Sequence, residues 1–316
     1  MAEAVQKFIS HARAELSRVI VGQEDAINQL LAVVLCGGHA LLEGVPGIAK
    51  TLAVKTLAHI CRLGFQRVQC TPDLMPADVL GANIFNISAG TFSLHRGPVF
   101  TDLLLVDEVN RVPPRTQSAL LEAMEERQVT IDGTSYPLSG FFTVFATQNP
   151  IEFEGTYPLP EAQIDRFLFK IRVPYPPVEK EVEILERYQQ GFDPHHLDAL
   201  GLRPVDPEWL PAARREVSAL RVEPGIFRYV VAIVQRTRDW PALSLGGSPR
   251  ATVALMFAAK ALAAMEGRDY LIPDDVKAAA PPVLRHRLMV KPEAELEGIT
   301  RDQVVAEVLT AVEVPK

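Results

Sequence analysis

The sequence predicts an α/β protein, with a five-stranded parallel sheet inside residues 1–175 and an all-helical domain over residues 178–316. Three observations carry this prediction. Five short apolar runs alternate with helical spacings as far as Val173, the pattern of a parallel sheet covered on both faces. The first run leads into the glycine-bearing turn GVPGIAKT, Gly44 to Thr51, and then into a helix. Past the cluster Pro174-Tyr175-Pro176-Pro177 the helical spacings continue with almost no strand signal.

Taken in order, residues 3–20 read as an amphipathic helix with Phe8, Ile9, Ala12, Leu16, Val19 and Ile20 on one side. Val21-Gly22-Gln23 breaks it, and a second helix over 24–35 ends at Gly37-Gly38. Ala40 to Leu42 form the first strand, and a helix opens at Lys50-Thr51. Residues 65–70 alternate as a strand, and a proline-punctuated turn follows. Residues 81–98 hold no periodicity and are interrupted by Ser88-Ala89-Gly90, as in an inserted loop or hairpin. Residues 101–107 give a short apolar strand ending in Asp107-Glu108. A helix over 113–127 begins with prolines, where the missing N–H costs nothing. Residues 129–138 carry Asp132-Gly133 between alternating β-formers, a hairpin signal. Strands at 141–147, closed by Asn149-Pro150, and at 167–173 complete the five. In the second domain, 227–234 and 251–265 are the clearest helices, the latter with Leu255, Ala258, Ala259 and Leu262 in a stripe.

Composition narrows the function. A chain of 316 residues with 48% hydrophobic and 22% charged content is an ordinary globular protein with a sizeable core. Its net charge of −7 offers no electrostatic footprint for nucleic acid. The three cysteines, Cys36, Cys61 and Cys70, lack CxxC spacing, which argues against disulfides and structural zinc and fits a reducing compartment. The first twenty residues mix charge with apolar positions, unlike a signal peptide, and no run is long enough to span a membrane. A cytoplasmic location is expected.

The turn from Gly44 through Val45, Pro46, Gly47, Ile48 and Ala49 to Lys50 and Thr51 is the stretch that carries chemistry. Glycines let successive N–H groups turn inward, and the following helix presents free donors and its positive dipole end to phosphate. Lys50 would reach the β- and γ-phosphates of ATP, and the Thr51 hydroxyl would complete a Mg²⁺ shell. The GxxxxGK(S/T) pattern wants glycine where Ala49 stands, a departure of small cost if that residue has helical dihedrals. Asp107 ends a strand, where it can hold Mg²⁺ through water, and Glu108 can deprotonate the attacking water. Asn149 leaves the next strand at the same sheet edge, where a neutral amide can hold that water.

Together VGQE, GVPGIAKT, LLLVDEVNR, FATQNP, EGTYPLPEAQIDRF and GGSPRA, in this order over residues 21–252, resemble the MoxR family of AAA+ ATPases. That family commonly has Ala before the loop lysine. The resemblance places Val21 and Gly22 at the adenine, Lys50 and Thr51 in Walker A, Asp107 and Glu108 in Walker B, and Asn149 at sensor 1. It makes Arg166 an arginine finger acting on a neighbour's nucleotide, and Arg250 a sensor 2 residue on a helical lid. Nucleotide would lie at the junction of sheet domain and lid. Residues 81–98 and 129–138 resemble the family's helix-2 insert and pre-sensor hairpin, with Phe85, Phe92 and Tyr136 as candidate contacts. The implied cofactors are ATP and Mg²⁺. The implied assembly is a homo-oligomeric, hexameric ring that remodels a protein client, often with a von Willebrand A domain partner, in metalloenzyme maturation. A magnesium-chelatase-like motor and a DNA-remodelling AAA+ ATPase are the alternatives, the latter disfavoured by the acidic balance; a scaffold without turnover is disfavoured by an intact Glu108.

Overall fold

The computed structural model describes residues 3–88, 90–149, 155–194 and 196–315. Ala89 in the insert, Pro150 after the fourth strand and Glu154 in the EGTYPLP motif lie outside the described residues. Helices α1 (Glu3–Ser17) and α2 (Glu24–Cys36) lead into β1 (Ala40–Glu43), and α3 (Lys50–Cys61) follows the glycine turn. Next come β2 (Phe65–Gln69), the short α4 (Pro76–Leu80) and a hairpin of β3 (Gly81–Asn86) and β4 (Thr91–Arg96). Then β5 (Leu103–Asp107), α5 (Pro114–Glu126), a second hairpin of β6 (Gln128–Ile131) and β7 (Thr134–Pro137), β8 (Thr143–Gln148), α6 (Glu161–Ile164) and β9 (Phe169–Arg172) complete the sheet domain.

The five strands are parallel, in the order β2-β5-β8-β1-β9. Successive side chains of a strand point to opposite faces, so each strand feeds two cores. Leu42, Leu103, Leu105 and Phe145 join α1, α2 and α3 in one core. Leu41, Leu104, Val106, Val144 and Ala146 join Leu120, Leu121 and Met124 of α5 in the other. The turn of the second hairpin uses positive φ at Asp132 (47°) and Gly133 (80°), as the Asp-Gly pair predicts. Asn83 donates to Asp132 across 2.8 Å, joining the two hairpins.

The second half contains α7 (Val178–Gln189), α8 (Trp209–Ala219), α9 (Pro224–Arg238), β10 (Leu243–Leu245), α10 (Pro249–Met265), α11 (Pro273–Leu284), β11 (Met289–Val290), α12 (Pro292–Leu296) and α13 (Arg301–Ala311). It is therefore helical with one antiparallel pair, β10–β11, rather than wholly helical. Two or three residues are too short to show a period of two. Helix α1 packs on α8, and α2 on α10. Leu255, Ala258 and Ala259 of α10 share the core of α1 to α3. The proline cluster thus marks a change of secondary structure, and apolar packing runs across it.

His39 holds three elements of the sheet domain together. Its Nδ1 accepts the Val144 N–H (2.9 Å), so Nε2 carries the proton it donates to the Met124 carbonyl (3.1 Å). Burial pushes this imidazole down to about 4. A base whose folded pKa lies below its unfolded 6.5 takes up a proton on unfolding. Its contribution is complete above pH 6.5 and is lost as pH falls towards 4, a change of about 3 kcal/mol. Urea midpoints for His39→Gln should therefore fall less steeply between pH 6.5 and 4 than those of the parent; an equal slope refutes the assignment.

Candidate active site

The carboxyl ends of β1, β5 and β8 open onto one cleft, lined by Lys50, Thr51, Asp107, Glu108, Thr147 and Asn149. This is where an open parallel sheet holds its ligands. Lys50 Nζ donates back to the Gly44 carbonyl, and burial lowers its pKa against the opposing pull of Asp107, Glu108 and Glu43. Pro46, Gly47, Ile48 and Ala49 line the cleft, and Gly44 and Val45 do not. A Cβ on Gly44 would stand 2.6 Å from the Val173 carbonyl, which explains glycine there.

Ala49 does not have the helical dihedrals that would make its departure from glycine harmless. It sits at φ 59°, ψ 21°, in the left-handed region, immediately before α3. Glu108 is likewise left-handed, at φ 61°. Non-glycine residues in this region cost on the order of 1–3 kcal/mol each and cluster where backbone strain serves a site. Asp107 and Glu108 both line the cleft.

Thr147, on the strand between β1 and β5, organises these two acids. Its hydroxyl donates to Asp107 Oδ1 (2.5 Å) and accepts the Glu108 N–H (2.9 Å). The sequence reading missed it, because an apolar run ending in Thr-Gln is indistinguishable from any strand end. Thr51 Oγ1 lies 3.5 Å from Asp107 Oδ2. Both are hard oxygen donors, and one carboxylate with one hydroxyl suits a Mg²⁺ that keeps most of its waters and takes phosphate oxygens. Among the described residues no group of three or more His, Cys, Asp and Glu could hold a metal unaided.

Beside the phosphate cleft lies a more apolar cavity of about 330 Å³, lined by Val21, Ile48, Leu52, Tyr175, Ile184 and Tyr188 among others. Its size and lining fit a base stacked against tyrosines. Val21 faces it. Gly22 is not part of its lining; a Cβ there would stand 2.9 Å from Lys180 Cβ and 3.2 Å from Pro176 Cβ.

Arg166 and Arg250 are not in this cleft. Arg166 precedes β9, whose first residue pairs with Ala40 at the start of β1, so it stands at the amino ends of the strands. Four strand residues, or about 13 Å, separate that edge from the phosphate turn. Its guanidinium pairs with Glu125, and Arg250 pairs with the same carboxylate at 2.5 Å. The Arg166 contact comes first in holding the Glu125 carboxyl below its ordinary range. Arg250, expected at the nucleotide from the lid, is here paired with Glu125 and does not line the cleft of its own chain. The start of α10 is anchored at the opposite edge by Ser248 to Asp165 (3.0 Å), while Arg287 holds Asp165 at 2.7 Å.

A glycine turn on a parallel sheet with a strand-ending Asp-Glu pair defines a P-loop ATPase, and the comparisons agree. Residues 39–169 match the ATPase family associated with various cellular activities (AAA), and residues 235–308 match the AAA lid domain. The chain is 45% identical to Uncharacterized protein YeaC of Bacillus subtilis (strain 168), over 99% of this chain and 97% of that protein. It is 44% identical to Chaperone MoxR1 of Mycobacterium tuberculosis, over 98% of this chain and 82% of the relative. A crystal structure from Cytophaga hutchinsonii, of a protein proposed to be an ATPase, superposes with a TM-score of 0.90 at 42% identity, covering 100% of this chain and 97% of that one. The chain belongs to the MoxR family of AAA+ ATPases.

Proposed function

We propose that copies of this chain assemble into a closed ring, hexameric as the family resemblance implies, that hydrolyses ATP with Mg²⁺ to remodel a protein client. In this reading residues 1–175 bind nucleotide between Val21-Gly22 and the Gly44–Thr51 turn, residues 178–316 act as lid, Glu108 is the base, and Asn149 places the water. Arg166 and Arg250 of each copy serve the cleft of the next. One observation carries this: two arginines suited to phosphate stand at the sheet edge opposite the cleft of their own chain. The client role is supported by the chaperone name of the Mycobacterium relative and by the β3–β4 tip, where Phe85, Ile87 and Phe92 are exposed. A client complex of the metalloenzyme type, a von Willebrand A domain partner and a cytoplasmic setting complete the reading; nucleic acid has no part in it.

The surface beside the cleft supports assembly. Val178, Val182 and Leu185, at helical spacing along α7, are 72%, 49% and 70% exposed, and this helix buries no residue. On α10, Val253 and Phe257 continue the line of Arg250 and are also exposed. Placing the second stripe on the first would bring Arg250 towards the neighbouring cleft. Light scattering on Glu108→Gln protein with ATP should show an oligomer, and adding Val182→Glu with Leu185→Glu should leave monomers that still bind ATP. Oligomers that survive both charges would refute this placement.

A further inference from the structure

The edge strand β2 turns Arg67 and Gln69 to one face, two residues apart. In register, Gln69 lies opposite Asp107 and Arg67 opposite Leu105 of β5. The Arg67 guanidinium donates to Asp107 Oδ2 at 2.7 Å, and to Gln69 Oε1 at 2.7 Å. Gln69 Nε2 in turn donates to Glu108 Oε2 at 3.1 Å, and Arg111 Nε stands 2.9 Å from that oxygen.

The oxygen that Arg67 takes is the informative one. Thr147 occupies Asp107 Oδ1, which leaves Oδ2 as the oxygen turned to Thr51, 3.5 Å away. A divalent cation held between Thr51 and Asp107 needs Oδ2, directly or through a water. A guanidinium bonded to that oxygen adds a positive charge within a few ångströms of the same place, and like charges at that range repel. Arg67 is half exposed and its side chain is long, so it has somewhere to go. We propose that Arg67 is an intramolecular competitor of the divalent cation for Asp107 Oδ2, so that cation binding and release of Arg67 are one event. Release also ends the Arg67–Gln69 contact, while Gln69 and Arg111 keep their hold on Glu108.

The proposal rests on Asp107 and Thr51 being the cation's ligands, and the experiment separates the two ideas. Free Mn²⁺ is counted by electron paramagnetic resonance during titration of the whole chain with Mn²⁺ alone, at low ionic strength. Asp107→Asn should lose most binding; if it binds Mn²⁺ as the parent does, the ligand assignment itself fails. Arg67→Gln should bind Mn²⁺ about two- to fivefold more tightly, the scale of a partly exposed ion pair. That gain should shrink as salt screens the charge. Arg67→Lys, which keeps the charge, should stay nearer the parent. If Asp107→Asn loses binding while Arg67→Gln binds Mn²⁺ no more tightly than the parent, the competition is refuted. Arg67 makes no core contact, and a melting curve for each variant confirms folding.

Discussion

Arg166→Ala should lower ATP turnover by about 10³–10⁵, the range of an arginine finger, while ATP binding stays intact. The fold explains the separation. Arg166 stands at the amino ends of the strands and Lys50 beyond their carboxyl ends, so the two lie at opposite edges of the sheet. Its present partner, Glu125, is partly exposed, and pairs of that kind contribute only about 0–1 kcal/mol. The variant should therefore fold. The decisive measurement is mixing with Lys50→Ala subunits under conditions where exchange is verified. Interfaces that join an intact turn to an intact arginine should recover part of the activity. Absence of rescue in verified mixed rings would mean a role within one chain. Lost stability with unchanged turnover per folded subunit would mean a structural arginine.

The second large effect is expected at Glu108. Glu108→Gln should retain ATP while hydrolysis falls by about 10²–10⁴, because the amide keeps the shape but cannot accept the water's proton. The backbone places this side chain as much as its contacts do. Its left-handed φ of 61° and the Thr147 hydroxyl on its N–H are kept by glutamine. Binding of labelled ATP with single-turnover kinetics checks both halves of the expectation. Turnover close to the parent's would move the base elsewhere. The trapped ATP state is also the form in which to capture a client.

Much of this site is readable from residue order because its parts are local. Gly44 to Thr51 and Asp107-Glu108 are contiguous stretches whose spacing forces strand, turn and helix. The hairpins at 81–98 and 129–138 are legible through broken periodicity and one Asp-Gly pair. What resists reading depends on distant partners. Thr147 is a strand residue until β8 is known to lie between β1 and β5. Arg67 and Gln69 look like the polar half of an alternating strand, and only the pairing of β2 with β5 brings them to the acids. The position of Arg250 is decided by Asp165, which Ser248 and Arg287 approach from the lid. The left-handed backbone at Ala49 leaves no mark on composition, since alanine is otherwise a helix former.

Glu125 bears on selectivity. Arg166 and Arg250 unaccompanied would form a general trap for phosphate, open to free nucleotide and to any passing nucleic acid. Shared between them, one carboxylate supplies a tethered anion that competes weakly, by about 0–1 kcal/mol per exposed pair, with phosphate from solution. A ligand wins both arginines only if it is itself held in place with several oxygens presented at once. A triphosphate seated in a neighbouring copy would satisfy that condition, and a freely diffusing one would not. In the ring proposed above, the glutamate would set a low threshold that a fixed triphosphate passes more readily than loose phosphate.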